Sequence, residues 1–410
     1  MKQIRLTAPK DTINALITLP SSKSICNRAL IMNALSGSKD SIANLSDCDD
    51  TSVMLRALQN MPKIIDIQAA GTAMRFLTAY LSVGHGEHIL TGTERMRHRP
   101  IRILVDALRL LGADITYLEN EGYPPLLIKG CTLNQNEVSL PGSISSQYIS
   151  ALLLIGPMLQ EGLKITLTGD IISRPYINLT LQLMKEFGAD AAWISADKLV
   201  VKAQPYQRIP FSVESDWSAA SYWYEIVALS DKGMVTLPSL YSNSFQGDSE
   251  VANLFEGLGV RTYFKEKQVI LERTERSLKR MDHDFVNQPD LAQTFVVTCT
   301  MLNIPFKFTG LQSLKIKETD RIAALIKELR KLGFVLTDED DSVLSWNGER
   351  CEADLHPVID TYEDHRMAMA FAPAILRVKD LWINNPQVVS KSYPHFWENL
   401  KDAGFSIEEI

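Results

Sequence analysis

The chain has 410 residues, of which 45% are hydrophobic and 22% are charged, and this balance predicts a globular protein of more than one domain. Its formal net charge of −7 argues against general affinity for nucleic acid. Five scattered cysteines without a Cys-x-x-Cys pair argue against a disulfide framework or a structural zinc site, and they favour a reducing cytoplasm. No apolar run is long enough to cross a bilayer, so we expect no membrane segment.

Six helix starts recur along the chain at a nearly fixed interval. They lie at Ser24, Thr72, Ser146, Trp217, Leu291 and His365. Their separations are 72−24=48, 146−72=74, 217−146=71, 291−217=74 and 365−291=74 residues. A fixed period predicts a repeated structural unit, and the short first interval predicts that roughly twenty-five residues are missing between Leu58 and Ala69.

A second helix of each unit is predicted by an amphipathic run that ends at a glycine and is followed by a β-rich stretch. The glycines are Gly112, Gly188, Gly259, Gly333 and Gly404. They are separated by 188−112=76, 259−188=71, 333−259=74 and 404−333=71 residues. Glycine at this place is typical of a left-handed helix end. Six units of two helices and several strands are therefore expected, closing into two compact lobes with a cleft between them.

The first helices of the units stay apolar on nearly every face, which predicts that they are internal, yet most begin with polar or charged residues. N-capping explains any single Ser or Asp at such a start. Cations beside a helix N-terminus are harder to explain, because they are unfavourable there unless an anion joins them. The cations at these starts are Lys23, Arg28, Arg75, His365 and Arg366.

The segment Lys-Glu-Thr-Asp-Arg, residues 317–321, crowds charge at the start of another predicted helix. Lys317 and Arg321 are four residues apart and share one face, and Glu318 can pair with Arg321. A solvated charged face explains this segment alone equally well. It does not explain why an acidic protein places Lys and Arg at the same phase of its repeats. Further cations of this kind are Arg95, Arg97, His98, Arg99, Arg102, Arg174 and Lys391.

These cations predict a site that neutralises at least one phosphate together with carboxylates. Asp290, Glu318 and Asp364 are the candidate proton-handling groups, although a helix cap after Pro289 is the alternative for Asp290. The sequence lacks the Gly-rich motifs of ATP hydrolysis and NAD binding and the nucleophile elbow of serine hydrolases. For the two histidines of VGHGEHIL, a Gly-rich turn is favoured over a metal pair, since no third ligand is evident.

Eight segments, in order along nearly the whole chain, carry a family resemblance. They are SSKSICNRAL, AGTAMRFLTAYL, RMRHRPI, GSISSQYISALL, SRPYI, IKETDRIAAL, TYEDHRMAMAF and KSYPHF. Together they resemble the 5-enolpyruvylshikimate-3-phosphate synthase (EPSP synthase) family. The resemblance implies an α/β fold of two similar lobes, each of three βαβαββ units in an inside-out α/β barrel, with the first unit truncated here. It implies a first lobe at 21–213, a second lobe at 1–20 and 214–410, and an active site in the cleft between them.

The resemblance also implies a function. Members of the family transfer the enolpyruvyl group of phosphoenolpyruvate to the 5-hydroxyl of shikimate 3-phosphate and release phosphate, on the route to chorismate and the aromatic amino acids. The family uses no metal and no organic cofactor. We therefore expect a cytoplasmic transferase with two small-molecule substrates and neither nucleic-acid nor membrane partners, acting as a monomer.

Matching motifs imply the substrate contacts. For shikimate 3-phosphate they are Lys23, Ser24, Arg28, Ser145, Ser146, Gln147, Ser173, Tyr176, Asp290 and Lys317. For phosphoenolpyruvate they are Lys23, Gly71, Arg99, Gln147, Arg321, Arg366 and Lys391. The catalytic residues implied are Asp290, as the base toward the hydroxyl, with Glu318 and Lys23 handling the proton at the methylene carbon.

The chain departs from the family pattern at two places expected beside the phosphoenolpyruvate site. Ala69 stands where Asn is common, and Phe76 stands where Pro is common. Both bear on substrate affinity and on the response to the inhibitor glyphosate. The shortened first unit is expected to lack a strand pair.

Two alternatives stay open from the sequence. A UDP-N-acetylglucosamine enolpyruvyl transferase shares the fold and the donor, but its characteristic cysteine has no counterpart in RMRHRP. A non-catalytic phosphometabolite-binding protein is the other alternative. Glu318 and Asp290 argue against it, because nearby carboxylates weaken pure anion binding.

Overall fold

A computed structural model describes residues 2–38 and 42–410 of the chain. The chain forms two compact units. One consists of Ser21–Val213, and the other joins the N-terminal segment up to Pro20 with Glu214–Ile410. Each unit buries its own apolar core. Among the helices of the described residues, none combines the length and apolar character needed to cross a membrane.

The helices and strands follow one another with short connections. Those that precede or lie within Ser21–Val213 are β1 (Gln3–Thr7), β2 (Ile13–Leu16), α1 (Lys23–Leu35), α2 (Asp49–Asn60), β3 (Ile64–Asp66), α3 (Gly71–Val83), β4 (Glu87–Thr91), α4 (Glu94–Arg97), α5 (Arg102–Leu111), β5 (Asp114–Tyr117), β6 (Leu126–Lys129), β7 (Glu137–Pro141), α6 (Ser146–Ile155), β8 (Leu163–Thr168), α7 (Arg174–Glu186), β9 (Ala191–Trp193) and β10 (Lys198–Val201).

The second part of the chain continues the same alternation. Its elements are α8 (Trp217–Leu229), β11 (Gly233–Pro238), α9 (Val251–Leu254), β12 (Val260–Lys265), β13 (Gln268–Arg273), β14 (Met281–Asp284), α10 (Ala292–Met301), β15 (Phe306–Thr309), α11 (Arg321–Lys331), β16 (Thr337–Glu339), β17 (Val343–Trp346), β18 (Val358–Ile359), α12 (His365–Phe371), β19 (Leu381–Asn384), α13 (Phe396–Asp402) and β20 (Ser406–Glu409).

Five four-stranded sheets with one shared topology lie in the described part of the chain. Their strand orders are β3-β4-β6-β5, β7-β8-β10-β9, β12-β13-β11-β2, β14-β15-β17-β16 and β18-β19-β1-β20. Each sheet contains one parallel pair of strands, and two antiparallel strands complete it. In four of the sheets a crossover helix connects the parallel strands, whereas the parallel pair β2 and β11 is separated in the chain by the whole Ser21–Val213 unit. The prediction of an α/β fold built from βαβαββ units is confirmed.

The strand register places apolar side chains level with one another on the buried face of a sheet. Val138 of β7 pairs with Ile165 of β8, which pairs in turn with Leu199 of β10. All three side chains are buried. The sheet therefore contributes one apolar face to the core of its unit.

The first repeat unit is the truncated one, as predicted. Its two helices, α1 and α2, lead directly into β3 of the next unit. Complete units place two antiparallel strands at that point. Within the described residues, the strand pairing near these helices is an isolated bridge between Ala43 and Ser212. The missing residues thus correspond to a missing strand pair.

The N-terminal strand β1 completes the last sheet of the chain. It pairs antiparallel with β19 on one side and with β20 on the other. Strand β2 pairs parallel with β11. Between these two strands the chain forms the whole Ser21–Val213 unit and then α8. These two pairings explain why the first twenty residues fold with the C-terminal half of the chain.

The crossover helices begin within one residue of the predicted positions, and they are internal. All ten residues of α10 are buried, for example. The five predicted glycines adopt a positive φ, between +80° and +109°. The N-termini of two of these helices, α3 and α6, lie close together, since the Gln147 side chain donates to the Thr72 hydroxyl.

Candidate active site

Arg321 is the first residue of α11, and its side chain is only 2% exposed. It donates to three carboxylates. Nε lies 2.7 Å from Oδ2 of Asp364, Nη2 lies 3.0 Å from Oε2 of Glu318, and Nη1 lies 3.4 Å from Oδ1 of Asp290. Burial opposes the charged form, but the three carboxylates outweigh it and raise the pKa of Arg321. The guanidinium therefore stays charged at every accessible pH.

Asp290 joins this arginine to two further cations. Its Oδ2 atom lies 2.8 Å from Nη2 of Arg366, and its Oδ1 atom lies 3.6 Å from Nζ of Lys317. Arg366 also donates from Nη1 to the carbonyl of Asp290 at 3.2 Å and to the hydroxyl of Tyr222 at 3.3 Å. Burial lowers the pKa of Lys317, although the Asp290 carboxylate opposes that effect.

Glu318 is held at both of its oxygens. Oε1 accepts from Nζ of Lys391 at 2.8 Å, while Oε2 accepts from Arg321. The Glu318 side chain is 14% exposed, so solvent still reaches it. We call the residues Asp290, Lys317, Glu318, Arg321, Asp364, Arg366 and Lys391 the Arg321 cluster.

The Arg321 cluster contains four cations and three carboxylates among the described residues, which leaves an excess of positive charge. Asp248 interacts with this cluster. Burial, and then the Asp290 carboxylate, raise the pKa of Asp248 to about 7, while a hydrogen bond from the Ser218 hydroxyl opposes the shift. Asp248 thus carries only part of a negative charge at neutral pH, and the cluster suits a small anion.

Arg28 of α1 is the buried arginine of the Ser21–Val213 unit that its sequence motif assigns to substrate binding, and its described hydrogen-bond partners are neutral. Nε donates to the Thr180 hydroxyl at 2.7 Å, Nη1 to the Ser24 carbonyl at 2.8 Å, and Nη2 to the Ser150 hydroxyl at 3.2 Å. Nη2 also lies 3.4 Å from the carbonyl of Tyr176. Burial lowers the pKa of Arg28 to about 10. A buried cation whose partners among the described residues are neutral oxygens favours an incoming anion.

The N-terminus of α3 lies against a second arginine. A Cβ atom added to Gly71 would lie 2.5 Å from Nη1 of Arg99 and 3.0 Å from Nη1 of Arg75. Glycine is therefore what allows the Arg99 guanidinium to approach the first turn of this helix. Gln147 reaches the same turn, since its Nε2 donates to the Thr72 hydroxyl at 3.2 Å.

The N-terminus of α6 adjoins that of α3 through this Gln147–Thr72 contact. Ser145 caps α6, because its hydroxyl accepts from the backbone N–H of Gln147. Ser146, the first residue of the helix, is buried. Both helices are at least ten residues long, and their N-terminal N–H groups favour a negatively charged ligand.

Lys23, Ser173 and Tyr176 lie at the starts of α1 and α7. Nζ of Lys23 lies 3.3 Å from Oδ2 of Asp50, a buried carboxylate. Ser173 precedes α7 with a φ of 55°, and the carbonyl of Tyr176 accepts from Arg28. We call Lys23, Ser24, Arg28, Gly71, Arg99, Ser145, Ser146, Gln147, Ser173 and Tyr176 the Arg28 cluster.

The structure thus brings the predicted residues of Glu214–Ile410 together by direct contact, and it joins those of Ser21–Val213 in smaller groups. One such group links Ser24, Arg28 and Tyr176, and another links Gly71 with Arg99. The ring of Phe76, expected beside the phosphoenolpyruvate site, lies 5.4 Å from the Arg28 guanidinium carbon. Phe76, which stands where the family commonly has Pro, therefore lies beside a residue assigned to shikimate 3-phosphate.

Several residues of the site were not predicted as binding or catalytic. They are Asp50, Thr72, Ser150, Thr180, Asp248, Gln293 and Asp364, of which the sequence suggested only Asp364 as a possible proton-handling group. Ser150 and Thr180 are polar residues inside apolar helical runs, and that signal was available in the sequence. When the amide oxygen and nitrogen of Gln293 are exchanged so that its oxygen faces Arg321, this oxygen accepts from Nε at 2.8 Å and from Nη1 at 3.2 Å.

The described residues contain no group of three or more His, Cys, Asp and Glu side chains arranged to hold a metal ion. His88, one of the two histidines weighed as a metal pair, has its Nδ1 atom 2.9 Å from the carbonyl of Pro62. The cations and neutral hydrogen-bond donors of the two clusters suit anionic ligands.

Comparisons with known proteins agree with one another. A family model described as EPSP synthase (3-phosphoshikimate 1-carboxyvinyltransferase) matches residues 7–65 and 61–400. A 3-phosphoshikimate 1-carboxyvinyltransferase of Bacteroides fragilis strain YCH46 is 60% identical over 403 residues, which cover 98% of each chain. One from Photobacterium damsela subsp. piscicida is 38% identical over 421 residues, covering 96% of this chain and 97% of the relative.

Solved structures show the same architecture. An EPSP synthase of Acinetobacter baumannii superposes with a TM-score of 0.78 and 21% sequence identity, and the match covers 100% of both chains. A second structure of EPSP synthase from Acinetobacter baumannii gives a TM-score of 0.74 at 21% identity. At this identity the structural likeness supports the fold, whereas the sequence relatives carry the family.

Proposed function

The chain belongs to the EPSP synthase family, and from that premise we propose how its two polar clusters divide the family's reaction. The reaction is that of a 3-phosphoshikimate 1-carboxyvinyltransferase in the shikimate pathway. The enolpyruvyl group of phosphoenolpyruvate is transferred to the 5-hydroxyl of shikimate 3-phosphate, and phosphate is released.

The Arg321 cluster is proposed to hold phosphoenolpyruvate and to move protons. Arg321, Arg366 and Lys391 neutralise its carboxylate and phosphate, with Arg99, Gly71, Gln147 and Lys23 contributing from the other unit. The observation that carries this assignment is that four cations and three carboxylates stand within ion-pair distance in one cluster. Cations alone would bind anions, but carboxylates among them suit proton transfer.

The Arg28 cluster is proposed to hold shikimate 3-phosphate. Ser24, Arg28, Ser145, Ser146, Gln147, Ser173 and Tyr176 supply donors to its phosphate and hydroxyls, and Lys23, Asp290 and Lys317 complete the set. The support is the buried charge of Arg28, which has neutral oxygens as its hydrogen-bond partners. A bound phosphate supplies the negative charge that these partners lack. The proposal requires both clusters to act on the same pair of substrates during one catalytic cycle.

The proton steps are assigned as follows. Asp290 accepts the proton of the 5-hydroxyl as its oxygen bonds to C2 of phosphoenolpyruvate, and Glu318 with Lys23 supplies a proton to C3. The resulting tetrahedral intermediate loses phosphate from C2, and the same pair of side chains takes a proton back from C3, which restores the double bond. Glu318 is suited to this exchange because Arg321 and Lys391 fix its two oxygens.

Two finer statements belong to the same proposal. We take the chain to act as a monomer, in the cytoplasm. The cytoplasmic assignment is supported by five cysteines that all carry free thiols.

A coupled assay of the purified chain tests the activity. Phosphate release is measured with both substrates together, with each alone, and with UDP-N-acetylglucosamine in place of shikimate 3-phosphate. We expect release only with the shikimate pair, accompanied by a product whose mass equals shikimate 3-phosphate plus the enolpyruvyl group.

A matched pair of variants tests the assignment of the base. Asp290→Asn removes the carboxylate proposed to receive the hydroxyl proton, whereas Asp282→Asn changes an exposed carboxylate of the same unit. We expect turnover to fall by about 10²–10⁴-fold in the first variant and to stay at the wild-type level in the second. Equal turnover in the two variants would contradict the role of Asp290, and release with UDP-N-acetylglucosamine would contradict the acceptor.

A further inference from the structure

The turn between β18 and α12 has an unfavourable backbone. Tyr362 and Glu363 have φ angles of 53° and 56°, the left-handed region that residues with a Cβ atom disfavour. The next residue, Asp364, carries the carboxylate that binds Arg321. Two such residues in succession need contacts that hold them in place. The position of Asp364 therefore depends on what holds this turn.

Glu328 of α11 holds the turn at two points. Its carboxylate is fully buried. Oε1 accepts from the Tyr362 hydroxyl at 2.6 Å, and Oε2 accepts from the backbone N–H of Asp360 at 3.0 Å. Lys331 completes the arrangement, with its Nζ 2.7 Å from Oε2 of Glu328 and 3.1 Å from Oδ2 of Asp360. The buried carboxylate is thus fully hydrogen-bonded, which favours one rigid geometry.

Helix α11, which holds the turn through Glu328, also carries Arg321, the arginine that Asp364 of the turn binds. Arg321 and Glu328 are seven residues apart on α11, close to two turns, so they lie on one face. Arg321 meets the turn at Asp364, and Glu328 meets it at Asp360 and Tyr362. Asp364 in turn accepts from the backbone N–H of Arg366 at 2.9 Å. A shift of the turn would therefore move both arginines of the cluster.

We propose that Glu328 and Tyr362 are positioning residues for phosphoenolpyruvate, acting by fixing the turn that aims Asp364 at Arg321. Neither residue reaches the substrate in this proposal. The expected effect on phosphoenolpyruvate rests on the function proposed above. The claim that Glu328 and Tyr362 fix the position of Asp364 does not. The proposal predicts a larger defect for phosphoenolpyruvate than for shikimate 3-phosphate. Arg321 and Arg366 are assigned to phosphoenolpyruvate, whereas shikimate 3-phosphate is assigned mainly to the Arg28 cluster and to only two residues of the Arg321 cluster, Asp290 and Lys317.

We call the contacts of Glu328 with Tyr362, Asp360 and Lys331 the clamp, and its two side-chain donors, Tyr362 and Lys331, keep their protons near neutral pH. Burial, and then the adjacent Glu328 carboxylate, raise the pKa of Tyr362, so its hydroxyl remains a donor. Burial opposes the charge of Lys331, but Glu328 and Asp360 outweigh it and raise the pKa of this lysine. Lys327 faces the Tyr362 ring at 5.5 Å. The clamp is therefore a fixed support and not a pH switch.

Tyr362→Phe removes only the hydroxyl and tests the proposal by steady-state kinetics. We expect kcat/KM for phosphoenolpyruvate to fall by about tenfold to a hundredfold, the effect of a small misplacement of binding groups. The KM for shikimate 3-phosphate should change less than about twofold. The matched control is Tyr263→Phe, which also removes a tyrosine–glutamate hydrogen bond, of 2.7 Å, in an exposed part of the same unit.

The kinetic outcome decides between positioning and general damage. Equal changes in the parameters of both substrates, or an unchanged kcat/KM for phosphoenolpyruvate in a folded variant, would overturn the proposal. Glu328→Gln serves if Tyr362→Phe does not fold. It preserves the shape but replaces one accepting oxygen by an amide group, so the same selective loss is expected.

Nitrogen-15 NMR of the arginine side chains supplies a readout that does not need activity. The Nε–H signal of Arg321 is assigned by its loss in Arg321→Lys. In the wild type this proton should exchange slowly with solvent, because it is buried and bonded to Asp364. Tyr362→Phe should speed the exchange at least tenfold, whereas Tyr263→Phe should leave it unchanged. If Tyr362→Phe leaves the exchange rate of the Arg321 Nε–H proton unchanged, the inference is overturned, even if the wild type proves inactive. Inactivity of the wild type by itself overturns only the proposed function.

Discussion

Arg28 and Arg321 are buried to a similar degree in different units, yet their surroundings are electrostatically opposite. Arg321 bonds to three carboxylates, and they raise its pKa despite burial. Arg28 bonds to hydroxyl and carbonyl oxygens, and burial lowers its pKa to about 10. The comparison shows that burial alone does not determine the direction of an arginine's pKa shift, because the charge of its hydrogen-bond partners also contributes.

The difference suits the two clusters to different tasks. The Arg321 cluster already contains carboxylates, so its cations can hold a substrate while Asp290 and Glu318 exchange protons. Around Arg28 the donors face neutral oxygens, so the favourable change on binding is the arrival of a charged phosphate. We therefore propose that the Arg321 cluster carries out the proton transfers and that the Arg28 cluster provides affinity for a phosphate, and the following experiments test that division.

Removing the Glu318 carboxylate should give the largest effect. Glu318→Gln keeps the shape but cannot exchange a proton, so turnover should fall by about 10²–10⁴-fold with little change in substrate affinity. Steady-state kinetics and calorimetric binding measure the two quantities. The control is Glu339→Gln, which alters an exposed glutamate paired with Lys307 in the same unit. Near-normal turnover of Glu318→Gln would remove its role and weaken the contrast between the clusters.

Removing the Arg321 guanidinium should destabilise the fold strongly. Arg321→Met leaves Asp364, which is fully buried, without its main cationic partner. Truncating one member of a buried pair costs about 3–5 kcal/mol in the free energy of unfolding. Denaturant unfolding measures this loss. Arg280→Met, which breaks an exposed pair with Asp282, should stay within about 0.5 kcal/mol of the wild type. A similarly small loss for Arg321→Met would show that the cluster contributes no stability.

Removing Arg28 should act on binding more than on folding. Arg28→Ala should weaken shikimate 3-phosphate binding by about 1.5–3 kcal/mol, the range for a hydrogen bond to a charged group. The loss of stability should be smaller than for Arg321→Met, because no buried carboxylate is left unpaired among the described partners. Calorimetry measures the affinity, and phosphoenolpyruvate binding by the same variant is the internal control. Unchanged affinity for shikimate 3-phosphate would contradict the assignment.

Asp248 provides a test of a different kind, through the pH dependence of stability. Its pKa of about 7 in the folded chain exceeds the ordinary value of 3.8, so between these limits the native state binds more protons than the unfolded state. The contribution of Asp248 to the free energy of unfolding should therefore fall as pH rises from 4 to 7, by at most about 1.4 kcal/mol per pH unit, and then level off.

Asp248→Asn isolates this contribution. The difference in unfolding free energy between the wild type and this variant should change between pH 4 and 7, whereas the exposed control Asp231→Asn should give a difference that does not depend on pH. A pH-independent difference for Asp248→Asn would mean that burial and the neighbouring Asp290 carboxylate do not raise the pKa of this carboxyl group.

Much of the fold was predictable because it follows from local patterns. Each crossover helix begins within one residue of its predicted start, and the glycines that end the second helices have the positive φ expected of them. The short first interval correctly predicted a missing strand pair, since α2 leads directly to β3. The family and its activity were also predictable, because many short motifs occur together in order along the chain.

The surroundings of the site residues were less predictable. Phe76 was expected to affect the phosphoenolpyruvate site, yet its ring lies against Arg28. The role of Glu328 was not visible, because a glutamate in an amphipathic helix ordinarily faces solvent and here it is fully buried. Only the contact with a turn more than thirty residues away explains its burial.

The sequence by itself determined the repeat, its truncated first unit, the places where helices begin and end, and the motifs that identify the family. Those properties depend on neighbouring residues and on backbone preferences that each stretch carries with it. Only the tertiary structure decided which charges meet. Arg321 binds Asp364 across 43 residues, and Arg28 binds Thr180 across 152. Such pairs form when separate helices pack together, so whether an arginine finds a carboxylate or a hydroxyl is settled by the folded core and not by the residues beside it in the chain.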